Sequence, residues 1–291
     1  MQQQDHTGGA DQIRELTFGH TPDCDDAFMF YGLATHKVRV PGLRFVHHLC
    51  DIETLNQRAV VDGGQYDVTA LSFHAYPYAQ RNYALLPCGG SLGEGFGPVV
   101  VAGHPLAPDE IRNLTVAVPG ALTSACLALR LYAPGVRTVE VGFEKVLSAV
   151  LDGKAEAGLV IHEGQQTYSR HGLFKVADLG RWWHETQSLP MPMSGNAVRR
   201  SLGPEIAAQV SAALQASIRF ALEHREEALA YALQFAGDMD LHMAEQFLAM
   251  RVNDSTLLYD ENGRQAISRL LALGHGAGVI PESAEVDFVA G

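Results

Sequence analysis

Short apolar runs alternate with stretches of helical period along most of this chain. RELTFGH (14–20) precedes DDAFMFYGLATH (25–36), and GLRFVHHL (42–49) precedes IETLNQRAVVDG (52–63), a helical pattern stopped by its glycines. YDVTALS (66–72) reads as the next strand. The middle of the chain repeats the alternation: LTVAVPG (114–120), TSACLALRLYA (123–133), VRTVEVG (136–142), FEKVLSAVLDG (143–153) and AEAGLVIHE (155–163). Strand, helix, strand, helix, strand at these lengths predicts parallel βαβ units. From Pro204 the pattern turns helical almost to the end, opening with a Pro-Glu pair suited to a first helical turn.

The expected fold is therefore α/β with two lobes and a cleft between them, the second lobe inserted into the first. Residues 14–100 and 199–291 form the larger expected lobe, 101–198 the smaller, and 1–13 a disordered N-terminus. Crossings are expected near GPVVVAG (97–103) and SGNAVRR (194–200). GGSLGEGFGPVV (89–100) reads as a flexible approach to the first crossing, since it precedes a strand and lacks both the P-loop and the dinucleotide glycine spacing. RWWHE (181–185) reads as loop packing, with a cleft wall as the lesser alternative.

Composition narrows the function classes. With 291 residues, 47% hydrophobic and 19% charged, the chain has the make-up of a soluble globular protein, and no run approaches the roughly 18 apolar residues of a membrane span. MQQQDHTGGADQIRE has no basic start and no apolar run, so a cytoplasmic location is expected. A formal net charge of −12 repels nucleic acid over most of the surface and leaves a small molecule as the expected partner. The cysteines at 24, 50, 88 and 126 are scattered and contain no C-x-x-C pair, so reduced thiols are expected. HEGQQ has Gln166 where a zincin helix needs its second histidine, and His47 and His48 point to opposite strand faces. No metal site is expected. The absence of a G-x-S-x-G elbow leaves hydrolase chemistry without support.

In open parallel sheets, ligands sit beyond the carboxyl ends of the strands. The residues at or just beyond the predicted strand ends are His20, Thr21 and Asp23, then Ser72, then Gly120, Thr123 and Ser124, then His162. Thr123-Ser124 has two compatible readings: a helix N-cap, and a carboxylate site built from a hydroxyl and free helix-start N–H groups. His162 has two as well. It is either a chemical group at a strand end facing the cleft or a polar residue where the strand reaches the surface, and periodicity leaves both open. If strand alternation carries through, Glu163 points away from His162 and does not act directly.

Six stretches occur in one order: GHTPDCDDAFMFYGLA (19–34), DIETLN (51–56), ALSFHAYPY (70–78), GFGPVVVA (95–102), VAVPGALTSACLAL (116–129) and AGLVIHEGQQTYSRHGL (157–173). Together, from about Leu16 to Leu271, they resemble the 1,4-dihydroxy-6-naphthoate synthase family of the futalosine route to menaquinone. The resemblance implies a fold similar to type II periplasmic binding proteins. It implies a cofactor-independent carbon–carbon lyase acting on cyclic dehypoxanthine futalosine, with dihydroxyacetone as the second product. The base it implies is His162, in the motif Ile-His-Glu. The substrate contacts it implies are Asn56, Ser72, Thr123, Ser124 and Ala125, and Thr21 stands with them from its strand-end position. TPDCDDAF departs from the S-P-C-P-N-D-T-F of some members, so the roles of His20, Asp23 and Asp25 stay open. Two rivals remain: chorismate dehydratase of the same route, and a non-catalytic binder of a small carboxylate solute. The histidine of VIHE favours the synthase.

Overall fold

The computed structural model describes residues 13–161 and 163–290, with Asp254 described by its backbone alone. The expected base His162 and residues 1–12 of the expected disordered N-terminus lie outside the described residues.

The first half of the chain lays down β1 (Arg14–His20), α1 (Cys24–Ala34), β2 (Leu43–Leu49), α2 (Ile52–Val60), β3 (Val68–Ser72), α3 (Tyr76–Ala79), β4 (Tyr83–Leu85), β5 (Ser91–Gly93) and β6 (Val99–Ala102). The βα alternation resumes with β7 (Thr115–Val118), α4 (Ser124–Tyr132), β8 (Arg137–Glu140), α5 (Val146–Leu151) and β9 (Ala157–Val160). Next come α6 (Gly164–Thr167), β10 (Phe174–Asp178), α7 (Leu179–Gln187) and β11 (Met191–Arg199). The C-terminal run is helical: α8 (Pro204–Glu223), α9 (Arg225–Ala232), α10 (Leu241–Arg251), α11 (Asp254–Leu257) and α12 (Glu261–Gly276).

Two sheets result. The first has the order β2-β1-β3-β11-β4, with β5 paired to β11; the second has the order β10-β6-β9-β7-β8. β1 is parallel to β2 and β3, and β7 is parallel to β8 and β9, as the βαβ spacing predicts. β11 runs antiparallel between β3 and β4, while β6 and β10 run antiparallel in the second sheet. The chain leaves the first sheet after Gly93 and is back in it at Met191, three residues before the crossing expected at 194–200. β6 already belongs to the second sheet from Val99.

Two segments differ from their sequence reading. The stretch 89–100 contains β5, whose Gly93 pairs with Met191, rather than only a flexible approach. RWWHE lies within helix α7, not in a loop. Asp178 caps that helix by accepting from Arg181 N–H (3.1 Å), and Trp183 is fully buried with its indole N–H donating to the Pro190 carbonyl (2.9 Å). The buried β strands carry Val, Leu and Ala on both faces because helices cover both sides. One apolar core extends from Phe73 and Tyr83 to Leu127 and Trp183, so the two lobes share packing beneath the cleft.

Candidate active site

The carboxyl ends of β1, β3, β7 and β9 converge on one cavity of about 590 Å³, counting the part open to solvent. Thr21, Ser72, Thr123, Ser124 and Ala125, all expected from the sequence, line it together with Asp23, Asp25 and Asp26. Ile161, the last described residue before His162, lines it too. So do Pro98, Met193, Ser194 and Arg251. Met193 and Ser194 reach the cleft where the register of β11 against β5 shifts between Pro192 and Ser194. Such a bulge re-aims side chains without ending the strand.

The hydroxyls at one end of the cavity differ in what each has left to offer. Thr123 is the N-cap of α4: its Oγ1 accepts from Cys126 N–H (3.1 Å), and its proton goes to the Gly120 carbonyl (2.9 Å). Ser124 Oγ instead accepts from His74 N–H (3.3 Å). Ser72 Oγ accepts from Asn56 Nδ2 (3.1 Å). Among the described residues neither serine donates its hydroxyl proton, so both have a donor for a ligand. The first N–H groups of a helix have no acceptor within it. Ser124 and Ala125 at the start of α4 supply such groups, and they favour an anion. These groups together present hydrogen-bond donors to the cavity.

Asn56 has no exposed surface and does not line the cavity. Its Oδ1 accepts from Ser72 N–H (2.8 Å), so it stands behind Ser72. His74, which the sequence reading passed over, is equally buried. Its Nδ1–H donates to the Thr123 carbonyl (3.2 Å), and burial holds the ring down to about 4, neutral at ordinary pH.

A second set of lining groups is acidic. Thr21 donates both its N–H (2.8 Å) and its hydroxyl (2.7 Å) to Asp26 Oδ2. Burial, then the charge of Asp25, push Asp26 up to about 7 in spite of those donors. Asp23 stands at the N-cap position of α1 without making a side-chain cap. Burial and the neighbouring carboxylates Asp25, Glu163 and Asp26 hold it well above the usual carboxylate range. Arg251, from the last turn of α10, is the cation here. It donates to Asp25 Oδ2, to the Ile161 carbonyl and to Gln165 Oε1, each at 3.3 Å, and lies over the Phe247 ring. It ties the start of the segment holding His162 to the larger lobe. The sequence offered little sign of this, because Arg251 lies 226 residues from Asp25. Its one signal was a lone cation closing the apolar stretch HMAEQFLAMR.

His20 lies elsewhere. Its Nδ1–H meets the Thr21 carbonyl (3.2 Å), and a carbonyl only accepts, so Nε2 of the neutral ring accepts from His47 Nδ1–H (3.0 Å). Burial, then the charge of His47, hold His20 down to about 3, and the ring stacks on Phe30. His20 and His47 are a packed, neutral pair. Glu163 has helical dihedrals after the end of β9 at Val160, so strand alternation does not govern where it points. Among the described residues, no group of His, Cys, Asp and Glu side chains could hold a metal ion, and no helix is long and apolar enough to cross a membrane.

Comparison with known proteins agrees with this architecture. The family model described as menaquinone biosynthesis matches residues 16–275. A 1,4-dihydroxy-6-naphthoate synthase of Thermus thermophilus is 39% identical over 277 residues, covering 95% of this chain and all of that protein. The enzyme of the same name from Streptomyces coelicolor is 37% identical over 273 residues, covering 91% of this chain and 95% of its own. Among solved structures, protein AF1704 of Archaeoglobus fulgidus superposes with a TM-score of 0.85 at 40% identity, covering 91% of this chain and 98% of that one. The periplasmic aliphatic sulphonate binding protein of Escherichia coli superposes at 0.63 and 12% identity, covering 94% and 90%. That last likeness concerns the fold alone, and it establishes the two-lobed periplasmic-binding-protein-like architecture that the sequence leads one to expect. The chain belongs to the menaquinone biosynthesis family.

Proposed function

We propose that this protein is a lyase that converts cyclic dehypoxanthine futalosine to 1,4-dihydroxy-6-naphthoate, releasing dihydroxyacetone. The observation that carries the reading is the presence of two unlike sets of groups in one cavity. Ser72, Ser124 and the α4 N-terminus offer donors for a carboxylate, and Thr21, Asp23, Asp25 and Asp26 offer acceptors for the hydroxyls of a sugar-derived group. The names of the two relatives agree with the proposed product.

In this reading His162 removes a proton next to an activated carbon. Bonds to the sugar-derived carbons then break as the ring system becomes aromatic. No redox change is required, and an imidazole with an ordinary pKa near 6.5 is suited to act as the base. Asp23, whose pKa burial and the carboxylates Asp25, Glu163 and Asp26 raise, can exchange hydrogen bonds with the hydroxyl-rich fragment. The reading includes a cytoplasmic reaction on a small carboxylate, with neither nucleic acid nor membrane as partner.

The test is a mass-spectrometric assay with cyclic dehypoxanthine futalosine. Wild type is expected to form the naphthoate, and folded His162→Ala to lose at least about 10²-fold in kcat. Glu163→Gln should retain most of the activity. Substrate bound without any product would turn the assignment to a solute-binding protein, and turnover of chorismate instead would turn it to a dehydratase. An active His162→Ala would keep the enzyme and discard the base.

A further inference from the structure

Ser72 and the start of α4 belong to different lobes, yet both must present donors to one carboxylate. Two buried side chains on α2 connect them. Asn56 accepts from Ser72 N–H through Oδ1 (2.8 Å), and because a backbone N–H only donates, this contact fixes which way the amide faces. Its Nδ2 is then aimed at Ser72 Oγ (3.1 Å) and at Glu53 Oε2 (3.4 Å), both able to accept. The amide orientation is therefore consistent at both ends. Ser72 Oγ receives a hydrogen bond from behind, which leaves its own proton to point away from Asn56.

Glu53 continues the connection across the cleft. Its carboxylate accepts from Leu122 N–H (3.1 Å), from Asn56 and from Gln57 Nε2 (3.3 Å). Leu122 lies in the turn between β7 and the Thr123 cap of α4. Gly120 in that turn sits so close that an added Cβ would stand 2.3 Å from Glu53 Cγ and Oε2. The backbone of the smaller lobe is thus drawn against a carboxylate of the larger one. Glu53 is only 8% exposed.

We propose that Asn56 and Glu53 are positioning residues that form a relay between the lobes, Asn56 orienting Ser72 as a donor to the substrate carboxylate and Glu53 setting the α4 start opposite it. The proposal rests on the carboxylate reading of this end of the cavity. It also assigns to Asn56 an indirect role in place of the direct contact that the family resemblance implies.

The measurement is the ratio of affinities for 2-naphthoate and its neutral isostere 2-naphthamide, by calorimetry. A merely structural defect weakens both ligands together and leaves the ratio alone. Ser72→Ala should lower the ratio about tenfold or more, as expected for loss of a hydrogen bond to a charged group. Asn56→Ala should lower it by a similar factor, and the double variant should be no worse than Ser72→Ala. Should Asn56→Ala fold poorly, Asn56→Asp serves. It still accepts from Ser72 N–H but draws the Ser72 proton back toward itself, so the ratio should fall at least as far. Glu53→Gln, acting on the other half of the site, should lower the ratio further in the Ser72→Ala background. An unchanged ratio in both Asn56 variants would overturn the relay, and so would losses that multiply in the double variant. If wild type binds naphthoate and naphthamide equally, the carboxylate reading falls and the relay falls with it.

Discussion

Thr123 and Ser124 are adjacent in the chain, yet only Ser124 has a hydroxyl proton to offer. Thr123 caps α4 and donates to Gly120, whereas Ser124 Oγ only accepts from His74. The two substitutions to alanine should therefore separate. Thr123→Ala should cost about 1 kcal/mol of stability in urea titration with a small change in 2-naphthoate affinity. Ser124→Ala should weaken that affinity about tenfold while leaving stability nearly unchanged. Equal effects of both on binding would refute the distinction. Sequence alone located both residues, because a strand end followed by a capping pair is a local pattern. It did not separate their roles, since those depend on His74, 50 residues away, and on the Gly120 carbonyl. Arg251 and the link of Glu53 to Leu122 were hidden for the same reason: their partners come from distant segments of chain.

At the scale of elements, period was the reliable guide. β1, α2, α4 and the long α8 all match runs whose apolar spacing fits their structure. α7 is masked in the sequence by its two adjacent tryptophans, and its start signal is Asp178, which caps the helix three residues before Arg181. β5 escaped because a three-residue strand ending in glycine has almost no period to detect. The join between these elements is tight. An added Cβ on Gly180 of α7 would lie 2.0 Å from the Phe96 carbonyl carbon and 2.2 Å from Gly97 N, both backbone atoms. Gly180→Ala should thus destabilise by at least about 1–3 kcal/mol, the range for an overpacked interior. A urea midpoint equal to wild type would show that α7 can move aside.

Across the whole molecule, polar links join the lobes on both sides of the cavity. Glu53 with Leu122 and His74 with Thr123 and Ser124 form one side, and Arg251 with Ile161 and Gln165 forms the other. Arg251→Met keeps an unbranched apolar side chain but loses all three hydrogen bonds and the guanidinium over Phe247. The ligand-free variant should give a broader envelope than wild type in small-angle scattering, and its turnover should fall by roughly 10²-fold, as expected when reacting groups shift by about 1 Å. Matching envelopes and matching rates would show that these links do not hold the lobes together. The order of strands has another consequence, for synthesis. The second sheet is drawn entirely from residues between Val99 and Asp178, whereas the first waits for β11, which enters between β3 and β4 only at Met191. On a ribosome releasing the chain from its N-terminus, the lobe begun second is therefore the one able to close first. The lobe begun first must hold β3 and β4 apart, with their edges open, until nearly 200 residues have emerged.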